Sequence, residues 1–216
     1  MPHPFDNLVN WCGTKLKILI ACEYSGRVRD AFTKLGHDVI SCDLLPSDAP
    51  GKHYQGDVYD MLNEQWDLII AHPPCTDLTV AGNSSYGEGL PKYAERLESV
   101  AWTVALWEAC KKVSPRVCFE NPVGVLRRLG GMIKPQFVQP YMFGHMEQKK
   151  TGLFLHGLPE LKETKNVFEE MMLLPKNVRE RLHYLPPSPD RWKIRSTTYQ
   201  GIADAMATQW GNPETI

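Results

Sequence analysis

The 216-residue chain is 43% hydrophobic and 23% charged, the composition of a soluble globular domain large enough for a sizeable core. Its apolar runs fall short of the roughly 20 residues that span a bilayer, and its opening, MPHPFDNLVNWCGTK, has the pattern of neither a secretory signal nor an Arg-rich transit segment. A net charge of −1 predicts no polyanion partner by itself, although residues 1–110 carry 8 basic against 15 acidic side chains and residues 111–216 carry 16 against 10. A basic C-terminal half that faces phosphate and an unevenly charged solvated surface both account for that split.

In chain order, LKILIAC (16–22) is a strand-length apolar run. SGRVRDAFTKLG follows with Val28, Ala31, Phe32 and Leu35 at helical spacing and Gly36 as a stop. HDVISCD is a second strand ending on Asp43, GDVYDML a short third strand or turn, and WDLIIAH a fourth strand. GLPKYAERLESVAWTVALWEACKKV is a long helix with Leu97, Val100, Ala101, Val104 and Trp107 on one face. RVCFENP is a fifth strand, TGLFLHGL a sixth, and TYQGIADAMATQWG a closing helix. Strands alternating with helices predict an α/β fold with a doubly wound, mostly parallel sheet in one domain, 1–216. The charged, proline-rich stretch 157–195 reads as a short insertion or flap. Ligands of such sheets bind beyond the carboxyl ends of the strands, where Cys22 to Gly26, Asp43, Asp57, His72 to Cys75 and Glu120 to Pro122 all fall.

Six cysteines, at 12, 22, 42, 75, 110 and 118, form no C-x-x-C pair and read as reduced thiols of a cytoplasmic chain. Cys42, Cys110 and Cys118 suit small buried hydrophobes. Cys75 differs, because Pro73 and Pro74 fix two φ angles and aim it just past a buried strand. A thiolate is a strong nucleophile, and Glu120 sits at the next strand end, followed by its own fixed turn, Asn121-Pro122. His72 reads as a structural or hydrogen-bonding residue. A zinc site on His72 and Cys75 lacks a C-x-x-C partner, and the P-C-x-x-C of zinc deaminases is absent from PCTD. At the other end, Gly26 allows a tight strand-to-helix turn. Asp43 is placed to hold a ribose diol and Asp57 an adenine amino group. Glu23 beside the turn would repel phosphate and attract an ammonium, which favours S-adenosylmethionine over NAD or ATP. Ordinary turn carboxylates are the alternative for Asp43 and Asp57.

PPC after one strand, ENP after the next and a glycine turn after the first resemble the DNA (cytosine-5)-methyltransferase family, in the family's order and over most of the chain. CEYSG stands in place of the family's F-x-G-x-G. EQKKTGLFL is similar to the Q-x-R-x-R segment, with Gln148 and Lys150 matching and Gly152 departing, and TTYQGIADAMATQWGN is similar to the last motif. The resemblance implies S-adenosylmethionine as cofactor, held by Glu23, Tyr24, Ser25, Gly26, Asp43, Asp57, Pro73 and Asn212. It implies catalysis by Cys75, Glu120 and Lys150, with no metal. Cys75 would add to cytosine C6, Glu120 would hold the N3 and N4 edge, and C5 would take the methyl group. A duplex base would be flipped out, TDLTVAGNSSYGEG would close over it, and Lys149 and Lys150 would contact phosphate. Arg127, Arg128, Arg191, Lys193 and Arg195 are further basic candidates. Only about 45 residues, Thr151 to Arg195, stand where the family inserts a large target-recognition region. That shortness points to short or relaxed specificity, or to a single-stranded nucleic acid or free cytosine nucleotide as substrate. A binding protein on the same fold, and transfer of a group other than methyl, stay open. Amino-methylation fits less well, because such sites carry an aromatic residue where this chain has Cys75.

Overall fold

The computed structural model describes residues 14–212; Cys12 and the opening segment lie outside the described residues. Lys17–Ala21 (β1) leads through Arg27–Lys34 (α1) to Asp38–Asp43 (β2), His53–Gln55 (β3) and Leu68–Ala71 (β4). Asn83–Tyr86 (α2) and Tyr93–Val113 (α3) precede Val117–Pro122 (β5). Leu126–Gly130 (α4), Gln136–Val138 (β6) and Thr151–His156 (β7) follow. Four short helices come next: Phe168–Met172 (α5), Lys176–Arg179 (α6), Arg181–Tyr184 (α7) and Arg191–Ser196 (α8). Gln200–Trp210 (α9) is the last element.

The seven strands lie in the order β3-β2-β1-β4-β5-β7-β6. Strands β1 to β5 pair in parallel, and β7 runs antiparallel to both β5 and β6. This is the doubly wound, mostly parallel α/β sheet expected. Helices cover both faces. Ile18, Ile20, Leu68, Ile70 and Cys118 pack with residues of α1 and α9. Their neighbours Leu19, Ala21, Ile69, Ala71, Val117 and Phe119 pack with residues of α3 and α4. A strand buried on both faces has no polar alternation, so β1 and β4 read as continuous apolar runs.

Four features differ from the sequence reading. The third strand is His53–Gln55, just ahead of GDVYDML, most of which takes the turn alternative as the 3-10 turn Val58–Asn63, capped by Asp57 accepting from the Tyr59 N–H at 2.9 Å. The three-residue β6 is too short for periodicity to register, so TGLFLHGL is the seventh strand. The stretch 157–195, to which the sequence assigns no element, holds α5, α6, α7 and most of α8. Helix α3 buries Arg96, Val100, Thr103, Leu106, Trp107 and Cys110, whereas Leu97 and Ala101 are exposed. Its apolar residues surround the axis, and two polar residues, Arg96 and Thr103, lie on the buried face.

Register sets the rim. Ala21 of β1 pairs with Cys42 of β2 and Ala71 of β4, and Ala71 pairs with Phe119 of β5. One residue further along each strand, Asp43, Cys22, His72 and Glu120 therefore stand in one row across four adjacent strands.

Candidate active site

The chain leaves β4 through buried Pro73, exposed Pro74 and half-buried Cys75. The buried Asn121 side chain of β5 donates to the Pro73 carbonyl at 3.3 Å, so the two fixed turns are joined directly. Beyond Cys75 the loop is pinned. The Val80 N–H donates to the Val123 carbonyl and the Val125 N–H to the Leu78 carbonyl. Arg96, 1% exposed, reaches from α3 to the Asp77 carbonyl (Nε, 2.6 Å), the Thr79 carbonyl (3.1 Å) and Asn83 Oδ1 (2.8 Å). Ser99 Oγ adds a bond to the Asp77 carboxylate. The first half of the expected base-closing loop is thus fixed, and the exposed, glycine-containing part follows Asn83.

Glu120 lies beside His72, with His72 Nδ1 3.1 Å from Glu120 Oε2 and side-chain exposures of 9% and 12%. Burial alone would push the Glu120 carboxyl up. The His72 hydrogen bond, the Lys149 ammonium, the His72 charge and a Thr151 hydrogen bond together outweigh it, and hold Glu120 below the ordinary carboxylate range. The Cys75 thiol is pushed above its usual value by burial first, then by Glu120 and Asp77, against the opposing pull of Lys149 and Arg195. Cys75 and Glu120 therefore share one electrostatic environment. The thiol of the free protein is protonated at neutral pH, and the carboxylate is ionised.

Lys149, not Lys150, completes this group. Lys149 is half-buried, whereas Lys150 is exposed, with its ammonium 4.5 Å above the Phe137 ring of β6. Successive side chains in extended chain point to opposite sides, so Lys149 and Thr151 face Glu120 and Lys150 turns away. That period of two was the available signal. Arg96 gave none, since it lies inside a long apolar helix.

On the cofactor side, the turn after β1 is occupied by its own side chains. Cys22 has φ +56°, an uncommon conformation for a residue with a Cβ. Glu23 is buried, and its carboxylate accepts from the Val28 N–H at 2.8 Å, from the Arg29 N–H at 3.4 Å and from Ser25 Oγ at 3.0 Å. It caps α1, and the macrodipole there favours its charge. Gly26, at φ +74°, lies so close to buried Arg29 that a Cβ would fall 2.4 Å from its guanidinium. Arg29 in turn ties the helix to Ser41, Ser47 and the Ala49 and Pro50 carbonyls. Tyr24 Oη meets Ser196 Oγ at 2.9 Å, its ring packs 5.5 Å from Trp192, and Lys193 pairs with Asp48 at 2.9 Å. Helix α8 is therefore strapped over this turn. Asp43 is half-buried at the end of β2, and its carboxyl is raised by burial against backbone hydrogen bonds and the charges of His53 and His72. Leu44 beside it is 73% exposed. Asp57 is exposed next to Tyr59, and the Tyr59 ring meets that of Trp102 on α3 at 6.5 Å.

The structure thus brings Cys75, Glu120, Asp43 and Pro73 to one rim, with Asp57 at the start of the turn after β3. Asn212 is not brought there. It follows α9, where Gly211 abuts His37 and His37 accepts from the Leu16 N–H, at the opposite edge of the sheet. A helix that starts near the rim carries its last residues away from it. Arg127 and Arg128 are exposed on α4. Arg195 of α8 is among the charges that pull the Cys75 thiol down. Among the described residues, no group of three His, Cys, Asp or Glu side chains is placed to hold a metal ion, and no helix is long and apolar enough to cross a membrane.

No family model and no curated protein matches the chain. Among solved structures it is similar to a chain described as a DNA modification methyltransferase encoded within an E. coli prophage (14% identity, 65% of this chain, 46% of that one, TM-score 0.43). It is also similar to the bifunctional kinase-methyltransferase WbdD (15% identity, 70% and 37% covered, TM-score 0.44) and to a Thermoplasma acidophilum protein (13% identity, 65% and 78% covered, TM-score 0.37). The chain spans less than half the length of the first two.

Proposed function

We propose that the chain is an S-adenosylmethionine-dependent methyltransferase that methylates cytosine C5 in DNA through a covalent Cys75 adduct at C6. The observation that carries this is that Cys75, on its two-proline stem, and Glu120 stand at the ends of neighbouring strands whose two turns are joined by the Asn121–Pro73 bond. Cytosine C5 is a poor nucleophile. Attack by Cys75 sulfur on C6 moves the C5–C6 π pair towards C5, and Glu120 accepts from the N4 amino group. Lys149 and Arg195 stabilise the thiolate against the carboxylates around it.

The residues at the cofactor end fit S-adenosylmethionine. Asp43 would accept from a ribose diol and Asp57 from an adenine amino group, and exposed Leu44 and Tyr59 would offer walls to the ring. Glu23, Tyr24, Ser25 and Gly26 shape the turn, with Glu23 and Ser25 bonded to each other, Glu23 to the start of α1 and Tyr24 to α8. When bound, the cofactor supplies an electrophilic methyl group. Pro73 holds the strand end in place between the two sites.

The strap of α8 over the Tyr24 turn favours a second reading, C5 modification of a free cytosine nucleotide or single-stranded nucleic acid. In this chain the region where a duplex reader would stand folds back on the rim.

Labelled S-adenosylmethionine offered with duplex DNA, single-stranded DNA, RNA and dCMP tests both, with Cys75→Ser as control. Label on cytosine C5, lost in the variant, supports the proposal, and the labelled substrate decides between the readings. Label on another atom, or label that survives in Cys75→Ser, refutes it.

A further inference from the structure

Cys75 and Glu120 stand at the ends of β4 and β5, the two strands between β1 and β7 in the sheet. The segment 191–199 is anchored on both sides of them. On the β1 side, Tyr24 Oη donates to the Lys193 carbonyl at 3.2 Å, and the Lys193 ammonium pairs with Asp48. On the β7 side, Tyr199 donates to Glu147 at 2.8 Å, and the Lys149 ammonium lies 6.0 Å from the Tyr199 ring. The segment therefore crosses in front of the reactive pair, and Arg195 within it is close enough to act on the Cys75 thiol. Its helix carries RWKIR. Trp192 is 48% exposed, although its ring is held by the Tyr24 ring at 5.5 Å and by the Lys193 ammonium at 5.8 Å. Asp48 neutralises Lys193. Arg191 and Arg195 have no ion-pair partner among the described residues, and Arg191 Nε is buried without an acceptor. An indole held in place but left open, beside two guanidinium groups without anions, suits a ligand that carries both π faces and phosphates.

Resting on the C5 reading above, we infer that α8 is a platform for single-stranded nucleic acid, on which Trp192 stacks a base flanking the target cytosine while Arg191 and Arg195 hold phosphates of the same strand. The faces of the bases decide among the nucleic acids. In a duplex they are stacked on one another, so an exposed indole meets none of them. A free nucleotide has a single base, which the Cys75 site takes, and leaves nothing for Trp192. A single strand offers one base to each. Stacking tolerates any base, because every base has a π face, so the platform selects strandedness rather than sequence.

The test is equilibrium binding, read by anisotropy of a labelled oligonucleotide without S-adenosylmethionine. Wild type, Trp192→Leu, Trp192→Phe and Arg191→Met are compared on a short single strand with one central cytosine, on the same strand with its flanking sites abasic, and on the duplex, with dCMP as competitor. Wild type should bind the intact strand more tightly than the abasic strand, the duplex or dCMP. Trp192→Leu, which keeps an apolar contact for Tyr24 but has no π face, should weaken the intact strand about tenfold and leave the abasic strand unchanged. Trp192→Phe should lose less. Arg191→Met should weaken both strands and lower the salt slope by about 0.7. A merely structural role for Trp192 would weaken the intact and abasic strands equally, and that result overturns the inference. So does a wild type that binds the duplex or dCMP as tightly as the intact strand. Because binding is read without turnover, a protein that holds the strand through Trp192 yet labels no cytosine refutes the functional reading and sustains this one. Label on C5 from a protein whose binding ignores Trp192→Leu does the reverse.

Discussion

Arg96→Met isolates what fixes the nucleophile loop. The substitution keeps the length of the side chain on the buried face of α3 but removes three donors, to the Asp77 carbonyl, the Thr79 carbonyl and Asn83 Oδ1. Asn83 is exposed and finds water instead. The two carbonyls face the helix, and each unpaired buried acceptor costs about 1–3 kcal/mol. Removing a charge from a buried site returns part of its desolvation cost, so the expected loss is about 2–4 kcal/mol. Against a typical stability of about 5–15 kcal/mol, the variant remains folded at room temperature. Urea denaturation followed by tryptophan fluorescence measures the loss as a lower midpoint at unchanged slope. Alkylation of Cys75 by iodoacetamide in native buffer reports the loop, and it should accelerate about tenfold or more, since each 1.4 kcal/mol of easier opening is a decade. Lys92→Met, on an exposed lysine of the same region, is the control. A loss below about 1 kcal/mol with unchanged alkylation would show that the backbone pairing of Thr79 with Gly124 holds the loop without Arg96.

Three further outcomes follow from the site. Gly26→Ala must adopt φ +74° and displace the Arg29 guanidinium, and a loss of about 2–4 kcal/mol in thermal or urea denaturation is expected; a neutral result would refute the close packing of Arg29. The raised Cys75 thiol should alkylate slowly at pH 7 and speed up through a pH window above the ordinary thiol value of about 8.5. Glu120→Gln removes a negative neighbour and lowers that window, Lys149→Met raises it, and Lys150→Met leaves it in place. Glu120 has a folded value below its unfolded one, so it contributes stability that is present above about pH 4.3 and is lost as pH falls through the folded value. Stability measured from pH 7 down should therefore show a shallower acid limb in Glu120→Gln than in wild type, and equal limbs would contradict the assigned shift.

The sequence was most legible where burial is symmetric or proline fixes the chain. β1, β4 and β5 announce themselves because both faces are covered, and Pro73-Pro74 and Asn121-Pro122 locate the two reactive side chains at strand ends. Three things were not legible. β6 is three residues long and β3 lies just before the expected position, since short edge strands carry too few residues for a period. The buried face of α3 rotates onto Arg96 and Thr103 because a helix apolar all round gives no moment to read. The turn after β1 looked like a cradle for a ligand, yet Glu23, Tyr24, Ser25 and Gly26 are engaged by α1, α8 and Arg29, partners that only tertiary structure supplies. For the lysine pair, Q-x-R-x-R matching favours Lys150, but strand alternation places Lys149 at the site. Asn212 stands at the far edge of the sheet for the same geometric reason that any helix leaving the rim ends away from it.

Covalent trapping at Cys75 tests the central claim most directly. An oligonucleotide carrying 5-fluorocytosine, with S-adenosylmethionine, lets C6 attack and methyl transfer proceed but leaves fluorine at C5, where a proton would have been lost. The adduct then cannot collapse. Peptide mass spectrometry should find the oligonucleotide on Cys75 in wild type, none in Cys75→Ser, and sharply less in Glu120→Gln. An adduct on another residue, or no adduct from a protein that demonstrably binds both the cofactor and the oligonucleotide, would contradict the assignment of Cys75 as the nucleophile.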